Sequence, residues 1–322
     1  MTFARASRER AEGLPGWAVF PAVDYLAQGP LGHSDMGFAD PSSARRDSYR
    51  TLPRAPVEGT NLCYERSGSG PVVVLVHGFS LDLRMWDAQM PALLPRFQVL
   101  RYDMRGFGRS DLPSGPYRAI DDLRALLDHL EVAKVHLVGL SAGGLVALQF
   151  AVQYPDRVGR LVLVDSSLDG FKWSQDFSES WERMELAART EGVAAGRRQW
   201  LAHPLFAPAR ESPTVRDRLS DIVGEYSGWH LVHEEFAKGV KPPASERLAS
   251  IRAPTLVMVG ERDLPDFREI SLRLGKGIPG ARLVVVPGSG HMLNMEAPET
   301  FNEHLLEFLS ESPASEGSLS SR

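Results

Sequence analysis

A serine flanked by small residues, Gly139-Leu140-Ser141-Ala142-Gly143, directly follows the apolar run Val135–Val138. A helical stretch from Gly144 to Gln153 comes next and stops before Pro155. A serine pushed out on so tight a strand-to-helix turn takes up strained backbone angles, and small residues two before and two after it relieve the crowding. Its hydroxyl then stands at the carboxyl end of the strand. The following helix points its first amides at the same place, so Ala142 N–H faces the position where an oxyanion would form. This is the layout of acyl transfer to serine, although the pentapeptide alone is also compatible with an ordinary turn before a helix.

Serine is a weak nucleophile at neutral pH and needs a base beside it. Of the nine histidines, His291 is best placed, in the turn Pro287-Gly288-Ser289-Gly290-His291 just past the run Arg282–Val286, with a helix expected from about Pro298 behind it. A carboxylate must fix the tautomer of that base and stabilise its imidazolium. Asp263, in Gly260-Glu261-Arg262-Asp263 after the run Thr255–Val259, has the matching position. Two carboxylates compete with it: Asp266, which reads as solvated, and Asp165, which closes the preceding run. The order Ser, Asp, His favours Asp263. A second oxyanion donor is expected from the amide of Phe79, in the turn His77-Gly78-Phe79-Ser80 after Val72–Val76. His77 reads as a structural member of that turn, and His203, His230 and His233 as packing or surface residues.

The elements that must position these groups are short β-branched runs with helical segments between them: Val72–Val76, Gln98–Tyr102, Val135–Val138, Leu161–Val164, Thr255–Val259 and Arg282–Val286. Continuous Val/Leu runs imply strands buried on both faces, and alternation with helices implies a mostly parallel sheet, so the fold class is α/β. In Ala119–Leu130, the residues Ile120, Leu123, Leu126, Leu127 and Leu130 share one helical face, as expected of an outer helix packed on the sheet. From Ser166 to about Ser245, some 80 residues exceed any ordinary αβ connection. Helical patterns at Ser180–Thr190 and Ala195–Leu201, punctuated by prolines, predict an inserted helical cap. The expected organisation is an irregular extension over 1–55, a core over 56–166 and 246–310, a cap over 167–245, and a disordered tail over 311–322.

The formal net charge of −5 provides no basic excess to attract nucleic acid or anionic lipid. Cys63 is the single cysteine, which excludes an internal disulfide and a cysteine-based metal cluster and favours a cytoplasmic setting. The first residues, MTFARASRERAEG, lack a following apolar run of signal-peptide length, and no stretch is long enough to span a membrane. The extension carries one apolar patch, Trp17, Val19, Phe20, Val23, Tyr25 and Leu26, without sustained periodicity.

Over about residues 57 to 309 the chain resembles the α/β-hydrolase fold superfamily. The resemblance rests on the His77-Gly78-Phe79 turn, the stretch Asp103-Met104-Arg105-Gly106-Phe107-Gly108-Arg109-Ser110, the Ser141 elbow, Gly260-Glu261-Arg262-Asp263 and Gly290-His291. It implies a Ser141–Asp263–His291 triad and a structural role for the Asp103–Ser110 loop. Epoxide hydrolases and haloalkane dehalogenases of this superfamily carry aspartate at the elbow, so Ser141 argues against both. Carboxylesterases, lactonases including enol-lactonases, carbon–carbon bond hydrolases and cofactor-free perhydrolases share the serine triad. Some relatives are small-molecule receptors on the same scaffold, a reading that an intact triad weakens.

The cap interval holds four of the six tryptophans. Trp173, Trp181, Trp200 and Phe206, with Leu140 beside the nucleophile, are the expected walls of an apolar substrate pocket. The expected substrate is a small to medium, uncharged carboxylic ester or a lactone, cleaved through an acyl-enzyme. No metal or organic cofactor is implied, because the triad supplies nucleophile, proton shuttle and charge stabilisation.

Overall fold

The computed structural model describes residues 49, 51–233 and 237–311. The apolar patch of the N-terminal extension and the tail beyond residue 311 lie outside the described residues.

Eight strands form one sheet: β1 (Arg54–Val57), β2 (Thr60–Gly68), β3 (Val72–Val76), β4 (Gln98–Tyr102), β5 (Val135–Leu140), β6 (Val158–Val164), β7 (Thr255–Gly260) and β8 (Arg282–Val286). Their order is β1-β2-β4-β3-β5-β6-β7-β8. β1 and β2 run antiparallel to their neighbours, and β3 through β8 are parallel. The chain leaves β3 to one side to form β4 and then returns on the other side to form β5. Such a reversal opens a crevice beyond the carboxyl ends of the strands on either side of it. The turn after β3 and the elbow after β5 therefore emerge next to each other.

All six expected parallel strands are present, and three features differ from expectation. β8 is the edge of the sheet, so it is not buried on both faces, and Val285 is 50% exposed. The expected irregular extension through residue 55 ends too late, because Arg54 already belongs to β1 and Tyr49 is buried against Cys63 and Leu83. β2 adds a nine-residue strand, Thr-Asn-Leu-Cys-Tyr-Glu-Arg-Ser-Gly, whose charged and polar residues hide its strand pattern. Only Leu62 and Cys63 among its apolar residues are fully buried.

The helix Ala119–His129 turns Ile120, Leu123, Leu126 and Leu127 into the core, as its spacing predicts. Asp122 is also buried, held by the guanidinium of Arg105 at 2.6 Å. The helix Ala142–Gln153 is buried from Gly143 to Val152, which explains why it lacks a polar face.

Between β6 and β7 the chain forms helices Gln175–Thr190, Val193–Ala202, Ala207–Glu211, Pro213–Glu225 and Trp229–Val232. The first begins five residues before the expected start at Ser180. Ser174 caps it, accepting from Phe177 N, and Ser212 caps Pro213–Glu225 in the same way by accepting from Val215 N. These helices share one apolar cluster with the sheet. Polar ties reinforce the junction. Asp266 accepts from Ser174 N at 2.8 Å and Ser174 Oγ at 2.7 Å, and Arg262 pairs with Glu211 at 2.5 Å. Asp266 is thus a buried brace and not the solvated residue its sequence position suggested.

Candidate active site

Ser141 sits between β5 and the helix Ala142–Gln153 with φ 55° and ψ −116°, a conformation that costs a non-glycine residue roughly 1–3 kcal/mol. The surroundings enforce it. Ser141 N donates to Val164 O at 2.9 Å, while Ser141 O accepts from Ser167 N at 3.0 Å and Leu145 N at 3.1 Å. A Cβ on Gly139 would collide with the carbonyl of Gly143, and one on Gly143 with the carbonyls of Val76 and His77. Two backbones therefore meet at the elbow with no room for side chains between them.

His291 follows the turn after β8 and is 2% exposed. Its Nδ1 lies 2.9 Å from Asp263 Oδ2. Asp263 Oδ1 accepts from Leu264 N at 2.7 Å, so both carboxyl oxygens are engaged. With Nδ1–H donated to the carboxylate, Nε2 is left as the acceptor. Glu296 grips the histidine's loop from the other side. Its carboxylate accepts from Gly290 N at 2.6 Å and Met292 N at 3.0 Å, the two amides flanking His291. Burial pushes the Glu296 carboxyl above its usual range. The ring of Phe267 packs on His291 with centroids 4.3 Å apart.

Ser141 and His291 line one small cavity of about 10 Å³ together with Gly78, Phe79, Leu81, Leu140, Trp200, Leu205, Phe206 and Met292. Room for roughly one water is all that this volume provides. No side chain of its lining carries a fixed charge. A larger groove of about 310 Å³, between Pro208, Glu211 and Arg262 and the Gly288-Ser289 turn, lies outside the chamber that holds Ser141.

Leu140, Trp200 and Phe206 thus reach the chamber as expected, and Phe79 lies in its wall. Trp173 and Trp181 do not border it. Trp181 packs on Phe79 at 4.8 Å between centroids and donates Nε1–H to Glu185 at 2.9 Å. Trp173 stacks on Phe177 at 4.4 Å and meets Phe267 edge-on. Both tryptophans join the inserted helices to the core, and the chamber is too narrow to touch them. Leu81, Leu205 and Met292 are lining residues that sequence reasoning missed, since apolar residues near turns carry no pattern that separates wall from core.

His77, His203 and His230 have structural surroundings. His77 is fully buried and its Nε2 accepts from Met104 N at 2.9 Å; burial pushes its pKa down to about 4. His203 contacts Ser180 Oγ at 2.6 Å, and burial likewise holds it at about 4. His230 stacks on Phe107 at 4.3 Å, and burial depresses it to about 3. Asp103 accepts from Leu83 N at 2.8 Å, Arg109 N at 2.7 Å and Tyr49 OH at 2.8 Å, so the Asp103–Ser110 loop is braced.

Comparisons with known proteins return related hydrolases. A protein of Azorhizobium caulinodans provisionally named carbamate hydrolase RutD is 29% identical over 265 residues, 81% of this chain and 99% of the relative. The structure of the enol-lactonase from Burkholderia xenovorans LB400 superposes with a TM-score of 0.71 at 31% identity, over 80% of this chain and 100% of that one. A thermophilic esterase from Thermogutta terrifontis gives 0.70 at 31%, over 80% and 98%. No described helix is long and apolar enough to cross a membrane. The sequence profile of the alpha/beta hydrolase fold matches residues 71–298, and the chain belongs to that family of hydrolytic enzymes.

Proposed function

We propose that this enzyme hydrolyses small, uncharged carboxylic esters through an acyl-enzyme on Ser141. The observation that carries the reading is the 2.9 Å contact between His291 Nδ1 and Asp263 Oδ2 behind a chamber that His291 shares with the strained Ser141. Asp263 accepts the Nδ1–H bond and holds the imidazole with Nε2 toward the serine. As Ser141 Oγ attacks the ester carbonyl, its proton passes to Nε2. The amides of Phe79 and Ala142 receive the developing oxyanion, the first from the turn after β3 and the second from the first residue of the elbow helix, whose leading amides have no intrahelical acceptor. Collapse releases the alcohol with the proton from His291. A water then gives its proton to the same nitrogen, attacks the acyl carbon and frees Ser141.

The inserted helices act as the cap, since Trp200, Leu205 and Phe206 wall the chamber. An uncharged lining opposes burial of a charged acyl group, which would lose its hydration without a partner. Lactone cleavage is the second reading, supported by the likeness to the enol-lactonase at 31% identity, a likeness that the esterase shares. It uses the same steps, with the leaving alcohol retained on the acyl chain.

Turnover of p-nitrophenyl acetate and butyrate, beside a panel of lactones, carbamate esters and vinylogous diketones, tests both readings. Rapid ester cleavage that disappears in Ser141→Ala supports the first. Lactones turning over far faster than open-chain esters would replace it with the second, and ligand binding without any turnover would identify a receptor.

A further inference from the structure

Behind the His291–Asp263 pair lies a second carboxyl that the proposed mechanism leaves unused. Asp165 follows β6, is fully buried, and has φ 42°, a left-handed backbone that aspartate and asparagine tolerate better than most residues. Its amide donates to Met258 O at 2.9 Å, and its Oδ1 accepts from Gly260 N at 2.9 Å. Its Oδ2 is buried with no hydrogen-bond donor directed at it. Asp165, Asp263 and His291 each offer an atom to a cluster in which all three lie within 4.8 Å of one another. One carboxyl oxygen of Asp165 therefore lies within 4.8 Å of one of Asp263, with the orphaned Oδ2 left to find a partner there.

Two ionised carboxylates cannot share a buried hydrogen bond, because neither carries a proton to donate. The charged groups facing Asp165 are Asp263 and, further off, Glu296, both negative, with His291 as the one group able to turn positive. We propose that Asp165 is a neutral carboxylic acid whose Oδ2–H donates to the Asp263 carboxylate, making it a positioning residue for the acid of the triad. This rests on the triad reading above.

One proton on Asp165 satisfies the orphaned oxygen and removes the repulsion between the two carboxyls. It also fixes the orientation of Asp263, whose remaining lone pairs accept from Leu264 N and His291 Nδ1. Burial, followed by the neighbouring charge of Asp263, holds the Asp165 carboxyl well above the usual carboxylate range, in the same direction. A cation among the three residues is disfavoured because Nδ1 of His291 and Oδ1 of Asp165 are already committed to Asp263 and Gly260.

Asparagine at position 165 keeps the acceptor for Gly260 N and supplies an N–H donor to Asp263, with no change of charge if Asp165 is neutral. Alanine removes both bonds. The experiment compares the full-length wild type, Asp165→Asn and Asp165→Ala on p-nitrophenyl acetate across pH, and records the infrared difference spectrum of wild type minus Asp165→Asn in heavy water at pH 7. The expected results are kcat within about fivefold of wild type for Asn and a loss of about 10- to 100-fold in kcat for Ala at similar KM. The acidic limb of the Asn profile stays within about 0.3 pH unit, and a protonated-carboxyl band is present in wild type and missing from the Asn variant.

A downward shift of that limb by about one unit or more would mean that a negative charge had been removed beside His291, and would overturn the proposal. So would absence of the carboxyl band. If Asp165→Ala does not fold, the pH profile and the infrared band still decide. If Ser141→Ala retains turnover, the triad reading fails, while the band separately reports whether Asp165 carries a proton.

Discussion

Trp200 Nε1 donates a 2.7 Å hydrogen bond to Ser80 Oγ, both groups buried, and so ties the inserted helix Val193–Ala202 to the turn that carries Phe79. Ser80 itself has φ 63°, so this turn is held in a conformation that its own backbone disfavours. Trp200→Phe retains most of the ring and loses the donor. The expected outcome is about 1–2 kcal/mol of lost stability and about tenfold lower kcat/KM. A double-mutant cycle with Ser80→Ala checks the cause: a coupling of about 1 kcal/mol is expected, and simple additivity would show that the bond contributes nothing.

Glu296 uses both oxygens to hold the amides on either side of His291. In Glu296→Gln one of those oxygens becomes an NH2 group facing an N–H. The histidine's loop loses a bond and gains a repulsion. We expect kcat to fall about tenfold with KM changed less than about twofold, because the base is displaced while the chamber is preserved. A change confined to KM would contradict this.

The elbow glycines predict a steric experiment. Gly139→Ala and Gly143→Ala each drive a methyl into backbone carbonyls that cannot move without breaking the sheet or the turn after β3. A loss of about 2–3 kcal/mol, a Tm lower by about 5 °C or more, and negligible turnover are expected. Gly115 has nothing within 4 Å of such a methyl and serves as the control, with a Tm within about 1 °C of wild type. Thermal melts of the three variants suffice.

Three buried histidines set a pH dependence of stability. His77 and His203 are held near 4 and His230 near 3, chiefly by burial, whereas the unfolded chain titrates them near 6.5. Below 6.5 the unfolded state therefore binds more protons than the folded one, and stability falls as pH falls. The contribution is complete above about pH 6.5 and is lost progressively toward pH 4. Melts between pH 7 and 4.5 should show Tm declining with acidity, and proton uptake on unfolding at pH 5 should include roughly two to three protons from these rings. A Tm that holds flat over that range would refute the assignment.

The sequence made the sheet legible where strands are apolar throughout: Val72–Val76 and Leu161–Val164 admit no other reading, and the chemistry-bearing turns follow them. β1 and β2 were not legible, because an antiparallel strand near the sheet edge tolerates Asn61, Glu65 and Arg66 and so loses its signature. The candidate site was readable to the extent that it consists of residues fixed at strand ends, namely Ser141, Asp263 and His291. The roles of Trp173 and Trp181 were not, since ring contacts such as Trp173 with Phe177 depend on how separate helices cross. Nor could spacing reveal that Glu296 clasps the loop of His291 or that Asp165 has an oxygen without a donor. Both depend on packing between segments distant in sequence.

With space for about one water beside Ser141, the cavity as it stands is too small to hold an ester. On the proposed mechanism a wall residue such as Trp200, Leu205 or Phe206 moves aside before acylation, so admission of the ester becomes a kinetic event in its own right. Bulk in the acyl group is felt first as delay at this shutter, before any atom of the substrate reaches the hydroxyl.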